Sequence, residues 1–257
     1  MNNNSHKLWF PYSRRGAAGK LRLFCFPYAG GGAGLYRSWA EKLPAYIDVF
    51  AVQLPGRETR TRETPFTRMG SLVQALMPVI HELSDQPFAF FGHSMGAIIV
   101  WELASQMKRQ YGREPIHLFV SGRRAPQIPD TDPPLHELPE AKFVEEVIRF
   151  NGVPQEAVKH PEVMEWKTPL LRADFELCET YTYEPGSTLN CPITAFGGLE
   201  DPAETHERIA NWRERTTKFC RVHMLAGDHF FLHTSETHLL QLLSEELRGI
   251  ALWATSY

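Results

Sequence analysis

The sequence has little that would tie it to nucleic acid, membrane or metal. Basic residues are not in excess: 27 Lys and Arg stand against 30 Asp and Glu, for a formal charge of −3. A nucleic-acid or anionic-membrane binder would carry a basic stripe. No run approaches the ~20 apolar residues of a membrane span. The opening residues Met1-Asn2-Asn3-Asn4-Ser5-His6-Lys7 lack the apolar centre of a secretory signal. Cysteine is scarce, with Cys25, Cys178, Cys191 and Cys220 scattered and none at metal-ligand spacing. Cys25 and Cys220 lie in apolar runs and are expected to be reduced core residues. Repeats and low-complexity segments are missing too. A cytoplasmic protein without a metal is the expectation.

What remains is an ordinary globular composition. With 257 residues, 43% hydrophobic and 22% charged, the chain can bury a full core in one or two domains. Short apolar runs alternate with helical patterns, which predicts an α/β fold with a mostly parallel sheet and crossover helices. The predicted strands are Leu21 to Pro27, Val49 to Gln53, Phe88 to Phe91, Leu118 to Ser121, Ile193 to Phe196 and Arg221 to Leu225. Several are apolar nearly throughout, as strands covered on both faces are. Helices are expected near Ser71 to Leu83, Met95 to Gln110, His206 to Arg215 and Glu236 to Trp253.

Between Ser121 and Cys191 the alternation breaks. A Pro-rich run, Ala125 to Pro134, leads into helical patterns near Leu138 to Phe150 and Val163 to Tyr181. A structureless loop of that length is improbable in a compact domain. Residues 125–186 therefore read as a helical insertion, a lid over a site, with 1–124 and 187–257 forming the core. Phe143, Val147, Phe150, Trp166, Leu170, Leu171 and Phe175 give the insertion apolar surface at helical spacing, mainly for its own packing. Arg123 and Arg124 before it read as a solvated pair, with an arginine-rich rim for an acidic partner as the alternative.

The sharpest motif is Gly92-His93-Ser94-Met95-Gly96, between an apolar strand and a helical pattern. That context makes it a nucleophile elbow. The turn is so tight that side chains at positions 92 and 96 would collide, and glycine removes them. Ser94 is then strained, its hydroxyl exposed at the strand's C-terminal end. The Met95 N–H, at a helix start, suits a developing oxyanion. A serine needs a base and a group to orient that base. On this fold the acid and then the histidine follow in sequence. Asp201, after Ile193 to Phe196, is the candidate acid, with Glu200 its competitor. His229, after Arg221 to Leu225, is the candidate base. His223 would lie inside the strand and His233 on the next turn; both read as structural. Asp228 is expected to point elsewhere, and His93 reads as a solvated or core histidine without a nameable partner. A second oxyanion donor should come from Phe26-Pro27-Tyr28-Ala29-Gly30-Gly31-Gly32-Ala33-Gly34, which lacks the spacing of a phosphate cradle or dinucleotide fingerprint.

Taken together, several segments resemble the stand-alone type II thioesterases of nonribosomal peptide and polyketide synthesis. They are Phe26 to Gly31, Gln53-Leu54-Pro55-Gly56-Arg57, Phe91 to Ala97, Gly197-Gly198-Leu199-Glu200-Asp201 and Gly227 to Leu232. The resemblance implies an α/β-hydrolase fold with a helical lid. It implies hydrolysis of acyl thioesters from the phosphopantetheine arm of acyl- or peptidyl-carrier protein domains, without a cofactor. By matching motif, Ser94, Asp201 and His229 would form the triad, and Ala29 and Met95 would supply oxyanion N–H groups. A monomer is expected, and a chain that opens on Met and stops soon after its last helix reads as free-standing. Rival readings are a carboxylesterase or lipase, a medium-chain fatty acyl thioesterase, an acyltransferase, and a hydrolase-fold binding module without catalysis.

Overall fold

A computed structural model describes residues 3–13, 19–130, 133–149, 153, 159–186 and 188–253. Its centre is a six-stranded sheet: β1 Leu21–Phe26, β2 Ile47–Ala51, β3 Phe88–His93, β4 His117–Ser121, β5 Ile193–Gly198 and β6 Cys220–Leu225. Every pairing is parallel, in the order β2-β1-β3-β4-β5-β6. Among the described residues the helices are α1 Asn3–Trp9, α2 Trp39–Lys42, α3 Met69–Glu82, α4 Met95–Tyr111, α5 Glu140–Arg149, α6 Pro161–Glu179, α7 His206–Ala210, α8 Phe231–Thr234 and α9 Glu236–Trp253. None is long and apolar enough to cross a membrane.

The sequence pattern explains the layering. In β1, Phe24 and Phe26 face one apolar layer, shared with α3 and α4, while Leu23 and Cys25 face the other, shared with α9. Phe88 and Phe90 of β3 join the first layer, Ala89 and Phe91 the second. Both faces must be apolar because helices cover both, so the strands read as continuous hydrophobic runs. Rings interlock across the sheet, with Phe24 centred 5.1 Å from Phe50 and 5.8 Å from Phe90. Truncating such a phenylalanine typically costs about 3–5 kcal/mol.

All six predicted strands are present, with shifted ends. β2 starts at Ile47 rather than Val49, because Asp48 is buried within it and hides the strand's start in the sequence. The helix expected over His206 to Arg215 is α7 followed by a 3₁₀ turn, Asn211–Arg215. The N-terminal segment holds a helix that composition alone did not suggest, and Trp9 and Phe10 at its end enter the first apolar layer. Cys25 is buried as expected, whereas Cys220 on the edge strand β6 is only partly so.

Between β4 and β5 lie α5 and α6. Phe143, Val147, Met164 and Leu171 form an apolar cluster of their own, separate from the two sheet layers. Trp166 faces outward, 62% exposed. Phe150 lies outside the described residues.

A parallel sheet puts every strand's C-terminal end on one edge. The chain runs β1 to β2 outward, then returns to β3 on the other side of β1. Crevices for ligands open at such a reversal. Ala29, Ser94, Asp201 and His229 follow β1, β3, β5 and β6 respectively, so the topology alone brings them to this edge.

Candidate active site

Ser94 sits between β3 and α4 with φ 54° and ψ −112°, a region that non-glycine residues rarely occupy. Two glycines make this bend possible. A Cβ on Gly92 would lie 2.1 Å from the Gly96 carbonyl oxygen, and one on Gly96 would lie 2.3 Å from that of Phe26. The expected collision is therefore with backbone rather than between two side chains. The Ser94 N–H is anchored on the Ser121 carbonyl at 2.7 Å, which fastens the elbow to β4.

From this serine a line of hydrogen bonds runs inward. Ser94 Oγ donates to His229 Nε2 at 3.0 Å, and His229 Nδ1 donates to Asp201 Oδ2 at 2.7 Å. The carboxylate can only accept, so the imidazole proton belongs on Nδ1 and leaves Nε2 a lone pair for the serine. Asp201 is buried, and its second oxygen accepts from the N–H groups of Ala203 at 3.0 Å and Glu204 at 3.1 Å. Burial pushes its carboxyl up, but the bond and charge of His229 and those two N–H groups outweigh it and hold Asp201 below the usual carboxylate value. Glu200, the competing acid, is exposed.

The remaining histidines and arginines find definite places. His93 is fully buried, with Nδ1 2.8 Å from Ser121 Oγ and Nε2 2.9 Å from the His229 carbonyl oxygen. It is a core histidine with one partner at the end of β4 and one on the His229 loop, which the sequence could not name. His223 lies within β6 and stacks on Phe196; His233 meets the Tyr28 hydroxyl at 3.1 Å. Asp228 accepts from the Phe230 N–H at 2.8 Å. The expectation of a solvated Arg123–Arg124 pair is overturned. Arg124 is buried, its N–H 2.7 Å from Glu204 Oε2 and its Nε 3.0 Å from Oε1, because the end of β4 is packed against the Asp201 loop. That pairing also removes Arg124 from any outward-facing rim.

Ser94 and His229 open into a cavity of about 370 Å³, also lined by Tyr28, Ala29, Leu135, Arg124 and Phe175. That size suits a small ligand. Met95, directly after the serine, starts α4, where free N–H groups and the helix dipole favour negative charge. Ala29 belongs to a turn closed by the Gly31 N–H on the Tyr28 carbonyl at 2.9 Å. A second cavity of about 210 Å³ shares Tyr28 and Ala29 and extends along Trp166, Leu170 and Leu171. Two buried residues were assigned no role from sequence. Arg57 closes the Gln-Leu-Pro-Gly-Arg segment, and Asp174 lies in α6; together they form an ion pair at 2.8 Å.

A parallel sheet with a serine elbow after its third strand and an acid and a histidine after later ones is the layout of the α/β-hydrolases. The comparisons narrow this class. The family model described as thioesterase domain matches residues 21–247. The gramicidin S biosynthesis protein GrsT of Aneurinibacillus migulanus is 43% identical over 93% of this chain and 94% of its own. RedJ, the thioesterase of the prodiginine pathway in Streptomyces coelicolor, superposes with a TM-score of 0.83 at 39% identity over 90% of this chain and 92% of its own. The type II thioesterase BorB of the borrelidin cluster does so with 0.85 at 34% identity over 93% and 98%. The chain belongs to the thioesterase domain family and is a hydrolase acting on thioesters.

Proposed function

We propose that this enzyme removes acyl groups from the phosphopantetheine arm of carrier protein domains in a nonribosomal peptide or polyketide synthase, clearing wrongly primed or stalled carriers. The observation that carries the chemistry is the continuous line from Asp201 through His229 to Ser94 at the mouth of a cavity. The relatives' biosynthetic settings support the substrate class. The enzyme works in the cytoplasm, as a monomer that meets its carrier transiently.

Ser94 Oγ attacks the thioester carbonyl while His229 Nε2 takes its proton. Asp201 keeps the imidazole in the Nδ1–H tautomer and stabilises the imidazolium that forms. Its depressed pKa keeps it ionised throughout the neutral range. The oxyanion is received by the N–H groups of Met95 and Ala29. The protonated His229 gives its proton to the departing thiolate, and the acyl-serine remains. Water then attacks the acyl carbon and loses a proton to the same nitrogen; the C–Oγ bond breaks, Ser94 Oγ takes that proton back from His229, and the free acid leaves. Side chains and water close this cycle, so no cofactor is required. The 125–186 segment acts as the lid, with α6 forming a wall of the chamber.

The test is mass spectrometry of an acetyl-loaded carrier protein incubated with wild type and with Ser94→Ala, beside acetyl-coenzyme A at equal concentration. Loss of acetyl with wild type alone, faster from the carrier than from coenzyme A, is expected. An intact acetyl-carrier, from a wild type that still labels with a fluorophosphonate, would mean a serine hydrolase of another substrate.

A further inference from the structure

Arg57 and Asp174 are almost completely buried, their side chains 4% and 2% exposed. Two parallel bonds of 2.8 Å join them, Nη1 to Oδ2 and Nη2 to Oδ1. A buried ion pair loses much of its attraction to desolvation and is weak grounds for stability. Its retention asks for another reason, and the bonds it makes beyond itself supply one.

The pair grips one short stretch of backbone. Asp174 Oδ2 accepts the Gly30 N–H at 2.7 Å, and Arg57 Nη1 donates to the Gly31 carbonyl at 3.1 Å. Gly30 is the third residue of the turn that contains Ala29, and its φ of +74° is what a type II turn demands there. The turn bond from Gly31 fixes one side of Ala29 and the Asp174 carboxylate fixes the peptide on the other. Gln53 holds the base of the clamp, accepting the Ala33 N–H at 3.1 Å and donating to the Arg57 carbonyl at 3.0 Å. Asp174 comes from α6, which also sets Leu171 against Gly30 and Phe175 into the wall of the Ser94 cavity. Neither Arg57 nor Asp174 lines that cavity.

We propose that Arg57 and Asp174 are a positioning pair through which the lid helix shapes the oxyanion loop, so that the Ala29 N–H is aimed only while α6 is seated. The inference rests on the reading of Ala29 as an oxyanion donor. Such donors act because they are held in place before charge develops. A neutral hydrogen bond could anchor Gly30, but a bidentate charged pair fixes direction as well as distance.

The experiment uses two variants of the full chain. Arg57→Met with Asp174→Leu removes both charges together, which leaves no orphaned ion and keeps the fold. Asp174→Asn retains an oxygen for the Gly30 N–H. Three quantities are read: kcat and KM on a small acyl thioester, the rate of Ser94 labelling by a fluorophosphonate, and the melting temperature. The double variant is expected to lose roughly 30- to 100-fold in kcat, with KM changed less than about threefold, somewhat less than outright loss of an oxyanion donor, because the Ala29 N–H is misaimed rather than removed. Labelling should slow in parallel, because the phosphoryl oxygen occupies the same donors. Asp174→Asn should lose much less kcat than the double variant, even though the Arg57 charge it leaves uncompensated lowers its melting temperature. A folded double variant with wild-type kcat and labelling rate overturns the proposal, as does a loss confined to KM. Ser94→Ala separates the two readings. If it leaves hydrolysis intact, the proposed function falls. If it abolishes hydrolysis while the double variant is unimpaired, only the positioning role falls.

Discussion

His93 donates from Nε2 to the backbone carbonyl of His229, 2.9 Å away, and so holds the loop that carries the proposed base. The carbonyl can only accept, so the His93 proton is on Nε2 and its Nδ1 accepts from the Ser121 hydroxyl. Burial, together with the adjacent His229, keeps His93 well below the usual histidine pKa, and it stays neutral. A neutral neighbour matters, since a charged one would oppose the imidazolium that forms on His229. His93→Leu leaves the His229 carbonyl and the Ser121 hydroxyl unpaired, at a cost of about 1–3 kcal/mol each at most. The expected result is a lower melting temperature together with roughly a tenfold loss of kcat at nearly constant KM, the signature of a displaced base rather than weaker binding. His93→Gln, which keeps a donor and an acceptor, should recover part of both; wild-type kcat in a folded His93→Leu would show that the loop is held without it.

The buried histidines also set the acid side of the stability profile. Burial, helped by the Arg221 charge, lowers His117 to about 3, and His93 is lowered too. In the unfolded chain both take up protons near the ordinary histidine value of 6.5. Both pKa values are depressed in the folded state, so the unfolded state binds more protons below 6.5, and stability falls as pH drops through that value. Each group contributes a slope of about 1.4 kcal/mol per pH unit, so the two together give nearly 3. A chain of this size should lose about 5–10 °C of melting temperature in the first pH unit below that point. Asp201, with its lowered pKa, adds its own loss only at more acidic pH. Calorimetry across this range tests the prediction, and His117→Gln should reduce the slope, the rest coming from His93 and the likewise lowered His223 and His233. A melting temperature that stays flat from neutral to mildly acidic pH would contradict it.

Glycine positions separate sharply by what a methyl group would meet. Gly96→Ala puts a Cβ 2.3 Å from the Phe26 carbonyl oxygen and 3.0 Å from that of Pro27, backbone that cannot move without shifting β1. A cost above about 3 kcal/mol is expected, at the severe end of overpacking, with little soluble protein recovered. Gly70 in the first turn of α3 is exposed and has nothing within 4 Å of the added atom. Gly70→Ala should therefore stabilise by about 0.5–1 kcal/mol. Thermal melts of the two variants make the comparison, and a tolerant Gly96→Ala would mean that the elbow is looser than drawn.

Features that depend on local chemistry were legible in the sequence. Apolar runs marked the strands, and the elbow was readable because its glycines, serine and flanking elements lie within a few residues. Asp201 and His229 could be nominated because topology puts them in loops after strands, and the structure links both to Ser94 by hydrogen bonds. What stayed hidden depends on contacts far apart in the chain. Arg57 meets Asp174 across 117 positions, and nothing about an aspartate among the apolar residues of α6 names its partner. His93 finds the His229 loop 136 positions away, and Arg124 finds Glu204 across 80, which turned an expected solvated arginine into a buried one. Short α1 was missed because seven residues give too little periodicity.

The acyl chamber offers the remaining prediction. Phe175 reaches the cavity wall from α6, its ring edge-on to Phe143 at a centroid distance of 5.6 Å. It therefore limits the space beyond Ser94. Phe175→Ala should open that end and move the preferred substrate to longer acyl chains. Each additional methylene buried in the new space is worth about 0.8 kcal/mol, or roughly a fourfold gain in kcat/KM. Phe175→Trp should do the reverse and penalise the longer members. The measurement is kcat/KM over acyl thioesters of increasing length, for both variants and wild type. Because Phe175 is only half-buried, the variants are expected to remain folded. If the length profile of both variants matches wild type, the acyl chain does not run past Phe175. It would then lie along Leu170 and Leu171 in the neighbouring cavity that shares Tyr28 and Ala29.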